Sequence, residues 1–221
     1  MTRRTQFEEV LMPVEAGKLM WRRWIVFVTV GEFLGFSVPA IVAASMWDRA
    51  GWSATVSLLV AGVGEGVVLG WFQARALRPA LPDLPGHAWV AATAIGAAVA
   101  WSVAMVPVST DGFAGWPRAV ATVALGMSGA VVVSAIGVGQ WVVLRRHLTG
   151  AGWWIGATAL SWAAGLVAFV LFTSPLWHPG QPTAETAMIG IAGGLLMAFV
   201  MACVSGRCLV WLLRAQAGRG Q

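Results

Sequence analysis

Residues 52–78 read WSATVSLLVAGVGEGVVLGWFQARALR. A membrane-crossing helix needs about 20 mostly apolar residues. Between Trp52 and Ala74 one charge, Glu65, interrupts the apolar run, and Arg75 and Arg78 close it. Gly62, Gly66 and Gly70 recur every four residues. That spacing puts three small residues on one helical face, where they let backbones approach closely in lipid. Gln73 and Leu77 continue the same face. The stretch therefore predicts a spanning helix with a packing stripe, one buried acid and a basic anchor.

The rest of the chain repeats this pattern. Apolar runs at 24–46, 88–108, 117–144, 152–174 and 186–213 bring the total to six, joined by short segments rich in Gly, Pro and Asp. Apolar residues make up 58% of the 221, charged residues 10%, and the mean hydropathy is +0.77. Soluble domains carry about 25% charge, so this chain lacks the polar surface of a water-soluble globule. The expectation is an all-α, multi-pass membrane protein with six transmembrane helices. Soluble enzymes, disordered tails and secreted disulfide scaffolds are excluded. Cys203 and Cys208, five apart in one run, are too distant along a helix to pair. The first residues, MTRRTQFEEVLMPVE, lack the pattern of a cleavable signal, so the first run is expected to stay as an anchor.

Basic residues set the orientation. Twelve of the fourteen Lys and Arg fall on one side, leaving Arg49 and Arg118 on the other. The positive-inside rule then places both termini in the cytoplasm and the protein in the cell membrane. With no tyrosine among the residues, tryptophan must supply the interfacial belt. Trp21, Trp24, Trp47, Trp52, Trp89, Trp116, Trp153, Trp154, Trp177 and Trp211 are expected there, with Trp71, Trp101, Trp141 and Trp162 deeper. Residues 1–23 read as a cytoplasmic or interfacial segment whose short helix is broken or kinked near Pro13, and 215–221 as a cytoplasmic tail.

An internal repeat organises residues 24–214. Trp89, Thr93 and Gly96 match Trp154, Thr158 and Ser161 at a spacing of 65, and Trp24, Val28 and Gly31 fit the same frame. The even helices share a second frame: Gly70, Gln73, Leu77 and Arg78; Gly137, Gln140, Leu144 and Arg145; then Gly206, Leu209, Leu213 and Arg214. This predicts three tandem two-helix units, about 24–78, 89–145 and 154–214, around a pseudo-threefold axis along the membrane normal. Gly62, Gly66, Gly70, Gly137, Gly206 and Gln140 are the expected helix-packing positions. Mitochondrial carriers also consist of three two-helix repeats, but their P-x-[DE]-x2-[KR] signature is missing after Pro39, Pro107 and Pro175. Their mechanism therefore does not carry over.

Chemistry narrows the function further. There is no C-x2-C, H-E-x2-H, Walker or G-x-S-x-G motif, and His87, His147 and His178 avoid the helix centres. No metal, cofactor or enzymatic activity is expected. The basic residues flank apolar runs, so the partner is the lipid bilayer, with a membrane-protein partner or a second copy as a further candidate, and not nucleic acid.

Two carboxylates stand out. Glu32 and Glu65 lie inside apolar runs, and ionisable groups at that depth are costly enough to be functional candidates by default. Their counterparts in the repeat frame are Ala97 and Trp162, and Val132 and Met201, so the scaffold itself does not demand acid. Counted from Arg23 and Arg78, they sit ~14 and ~20 Å deep. Two close carboxylates in a low dielectric do not both ionise, which suits proton binding or cation exchange. Glu32, Glu65 and Gln73 are therefore the ion-binding or transport candidates, and Arg207 is a candidate charge partner for Glu32. The rival expectation is a non-catalytic scaffold or subunit that binds another membrane protein through its small-residue stripes.

Overall fold

The computed structural model describes residues 3–45 and 52–217, with side chains for 15–43, 45 and 52–217. The chain is all helical: α1 (Arg3–Ser45), α2 (Trp52–Leu77), α3 (Gly86–Ser109), α4 (Arg118–Leu144), α5 (Trp153–Thr173) and α6 (Thr183–Ala217). All six are long and apolar enough to cross a membrane. The loop at 48–51, with Arg49, and Trp47 lie outside the described residues.

Two helices outrun their apolar cores. The expected break near Pro13 is absent, and α1 continues from Arg3 into the apolar segment without interruption. Proline removes one backbone hydrogen bond, which a long helix can lose without ending. At the other terminus α6 extends to Ala217, past the last apolar run.

Each helix packs on its chain neighbours, and α6 returns to α1, closing a ring in sequence order. Apolar side chains recur along the outer faces at helical spacing, as Val26, Val30, Leu34 and Val38 do on α1, and Val56, Val60, Val63 and Val67 on α2. Such rows suit contact with lipid tails. Glycines set the inner contacts. A Cβ at Gly66 would lie 2.7 Å from Ala97 Cβ and 2.8 Å from Ala94 Cα, and one at Gly70 would lie 3.0 Å from Val90 Cα. A Cβ at Gly62 would run into the Trp101 ring, whereas Gly64, on the other face, meets nothing within 4 Å. Farther around the ring, Gly96 abuts the Ile136 backbone, Gly137 abuts Thr158 and Gly165 abuts Met197.

The basic ends of the helices are tied by Arg23. Its guanidinium donates from Nη2 to Arg75 O at 2.8 Å and from Nε to Ala76 O at 3.2 Å. These are carbonyls at the end of α2, where a helix favours a cation. The opposite ends are looser. No residue of 118–135 in α4 is buried, while Ile136, Gly137, Gln140 and Leu144 in the remainder of that helix are.

Candidate functional site

Three tryptophans fill the ring at the Arg-rich end. Trp24, Trp89 and Trp154 are 0–1% exposed. Trp154 stands edge-on to Trp24 with centroids 5.6 Å apart, and tilted against Trp89 at 6.1 Å. The interfacial expectation fails for these three. They project into the ring, while Trp52, Trp116, Trp153, Trp177 and Trp211 remain exposed.

Each of the three indoles donates to the preceding even-numbered helix. Trp89 Nε1 donates to Gln73 Oε1 at 3.1 Å, Trp154 Nε1 to Gln140 Oε1 at 2.8 Å, and Trp24 Nε1 to Ser205 Oγ at 2.9 Å. Gln140 Nε2 then donates to Gln73 Oε1 at 2.7 Å and to Thr93 Oγ1 at 2.9 Å. A buried amide needs such partners, and here α2, α3, α4 and α5 supply them to one another. Thr158 does not join, since its buried hydroxyl has no hydrogen-bond partner. The third glutamine-like position also needs correcting. The sequence frame put Leu209 there, but Trp24 is met by Ser205, one turn earlier. Gly206 is displaced with it and faces Trp24 and Trp21.

Beyond this cluster lie the carboxylates. Glu32 is 0% exposed, and neither of its oxygens has a hydrogen-bond partner. Glu65 is 3% exposed, and its Oε2 accepts a 2.9 Å bond from Trp101 Nε1. Gly35 rests on Glu65, so that a Cβ there would lie 3.0 Å from Glu65 O and 3.4 Å from its Cγ. Glu32 precedes Gly35 by one turn on the same face. The α1–α2 contact therefore brings the two acids close enough to interact electrostatically. The absent side chain at Gly35 is what permits that approach.

Glu65 also borders a cavity of about 130 Å³, lined by Phe36, Ala97, Ala100, Trp101 and Trp162 among others, with Glu65 the only ionisable wall among the described residues. Glu32 is not part of that lining. Gln73 is drawn into the tryptophan cluster, eight residues and ~12 Å from Glu65 along α2. Arg207 is not brought to Glu32. Its neighbour Gly206 packs on Trp21 and Trp24, so Arg207 stands at the level of the first turn of the apolar run. Glu32 lies eight residues beyond Trp24, ~12 Å deeper. Among the described residues no three His, Cys, Asp or Glu side chains come together as a metal site.

Trp101 and Ser205 were not singled out from sequence as site residues. Trp101 had one available signal: it lies 36 residues after Glu65 at comparable depth, and a buried indole needs an acceptor. Compared with protein-family models, with curated proteins and with solved structures, the chain finds no match in any of the three.

Proposed function

We propose that the protein is a non-enzymatic permeation or exchange protein for a proton or a compact monovalent cation, with Glu32 and Glu65 as the titrating pair. The observation that carries this is Glu32. A carboxyl with no hydrogen-bond partner, fully buried beside a second carboxyl, is costly to stability. Such a group within an apolar helix marks an ion or proton pathway by default. The Glu65 cavity offers one carboxylate among carbon and indole walls. Calcium takes six to eight oxygen ligands and magnesium a full octahedron, so a divalent ion finds too few donors. A proton, or a small cation that tolerates aromatic walls, fits better. In this reading the tryptophan cluster is the barrier at the Arg-rich end.

The scaffold of the proposal is three tandem two-helix units about an axis normal to the membrane. Its support is the cyclic pattern Trp89–Gln73, Trp154–Gln140 and Trp24–Ser205. Leu77, Leu144 and Leu209, four residues after those partners, are each 0% exposed. With the third unit realigned on Ser205, Glu65 corresponds to Val132 and Met197 rather than Met201. Acid at this level then belongs to the first unit alone. We also propose that the Arg-rich end faces the cytoplasm of a cell membrane, on the strength of the basic bias. A reporter fused after Thr149 should lie in the cytoplasm and one after Gly112 on the far side; the reverse would refute this orientation, and the same side for both would sink the six-helix topology.

The functional test is reconstitution into liposomes with an internal pH-sensitive dye under an imposed gradient. Glu32→Gln and Glu65→Gln preserve size and hydrogen bonding. Each should abolish flux while the protein keeps its elution profile and melting temperature. Unchanged flux in the double variant would leave the acids structural.

A second reading, a non-catalytic scaffold or subunit, has one observation in its favour. The stretch of α4 without buried residues carries Gly126 and Gly129, each with open space where a Cβ would stand. The stripe Gly62–Gly66–Gly70 is by contrast occupied within the chain by α3. Cross-linking from Cys introduced at Gly126 would trap a partner under the scaffold reading and none under the permeation reading.

A further inference from the structure

We propose that the cleft between the Arg-rich ends of α1 and α6 binds the headgroup of an anionic phospholipid, held by Lys18, Arg207 and Arg214. The cleft measures about 330 Å³, and Gly17, Trp21 and Trp211 complete its walls. It is separate from the carboxylate site and does not depend on that reading.

Three features of the cleft point to a phosphate. Arg207 and Arg214 are seven residues apart on α6, so two helical turns put them on the same face, ~10 Å apart along the axis. Neither has a hydrogen bond or ion pair among the described residues; Lys18 has one weak contact, 3.9 Å to the exposed Glu15. Among the described residues, three cations thus converge with only the Glu15 contact as compensating charge, an arrangement suited to the oxygens of a phosphodiester. The Arg214 guanidinium is packed across Gly17, where a Cβ would come within 2.5 Å of its Nη2. The missing side chain at 17 lets that guanidinium line the cleft.

The level of the cleft selects a lipid over a free phosphate. Trp21 Nε1 reaches Cys203 O at 3.5 Å, which fixes Arg207 one turn farther toward the Arg-rich end, beside Trp21. Indoles favour the membrane interface, and Trp21 and Trp211 both border the cleft. Apolar side chains continue from it along the same two helices, the part-buried Ile25 one turn beyond Trp21 on α1 and the exposed Phe199 on α6. A headgroup seated between the arginines would have its acyl chains against that surface. Basic pockets between helices at the interface have this recognition chemistry.

The test is native mass spectrometry of the full chain in mild detergent, titrated with phosphatidylglycerol and separately with phosphatidylcholine. The wild type should retain the anionic lipid in preference to the zwitterionic one, and added salt should weaken that preference. The double variant Arg207→Gln, Arg214→Gln should lose roughly 25-fold in relative affinity, from about fivefold per basic side chain near an anionic surface. Arg118→Gln, at the opposite end, should change nothing. Equal retention of both lipids, or an unchanged preference in the double variant, would overturn the proposal. Displacement of the lipid by millimolar inorganic phosphate would overturn the lipid assignment in favour of a free anion.

Discussion

The two ends of the helix ring are built differently. At the Arg-rich end the core is aromatic and hydrogen-bonded: Trp24, Trp89 and Trp154 meet one another, and Gln73, Gln140 and Ser205 accept their N–H groups. Toward the other end α4 runs through 118–135 with no buried residue, and a cavity opens beside Glu65. In lipid the hydrophobic effect does not press helices together. They stay together where glycine allows close contact or a polar side chain finds a partner; both devices are lost along 118–135 of α4, while α5 and α6 keep one close contact at Gly193 and Thr173. The lesson is that the well-packed end supplies the stability, so the other can hold unpaired acid.

The strongest challenge to that contrast is removal of packing at the closed end. Trp154→Ala should cost ~3–5 kcal/mol, as large-to-small changes of buried aromatics do. It would also orphan Gln140 Oε1. Gly66→Leu should approach the same loss, because backbone and Cβ atoms of α3 stand 2.7–3.0 Å from the new Cβ position. Gly64→Leu and Gly126→Leu, each facing open space, should stay within about 0.5 kcal/mol. Thermal melting in one detergent gives all four. Equal losses at Gly66 and Gly126 would erase the difference between the ends.

A smaller effect isolates the polar part of the closed end. Gln140→Leu keeps the volume but leaves Trp154 Nε1 without an acceptor and removes the donor to Gln73 and Thr93. Interhelical hydrogen bonds in membranes are worth about 1–2 kcal/mol in peptides and nearer 0.6 in folded proteins. A loss of ~1–2 kcal/mol is expected, since three contacts go at once. No loss would mean that shape alone holds the tryptophans.

Much of this was legible from the chain alone. The six spans follow from hydropathy, and the glycine spacing on α2 marks the face that meets α3. The 65-residue interval between Trp24, Trp89 and Trp154 was also visible. Its meaning was misread, because an indole near a helix end suits the interface and the ring centre equally well. Which face it occupies depends on helix rotation, fixed here by the polar residues that receive the N–H groups. Ser205 was missed because a serine four residues before a leucine does not match a glutamine frame, although its hydroxyl can do the same job. Arg207 was matched to Glu32 as a charge partner, but α6 extends beyond the apolar run and holds Arg207 level with Trp21. The proximity of Glu32 to Glu65 was readable from their depths, but the role of Gly35 was not.

The finest test compares the two carboxylates themselves. Glu65 has a partner in Trp101 and a cavity beside it, whereas Glu32 has no hydrogen bond and lies outside that cavity's lining. Glu65→Leu removes the acceptor of a part-buried indole N–H and should lower stability by ~0.6 kcal/mol. Glu32→Leu removes no hydrogen bond, relieves an unpartnered buried carboxyl and roughly keeps the volume. It should leave stability unchanged or raise it by about 1 kcal/mol or less, as replacing an unsatisfied polar group by an apolar one of similar shape allows. Acids retained for function commonly cost stability in this way. Opposite signs at the two positions, read as shifts in melting temperature against the wild type, would mark Glu32 as kept for something other than folding. A clear loss at Glu32 would instead make it part of the packing that holds α1 to α2, and the contrast between the ends would no longer need a functional explanation.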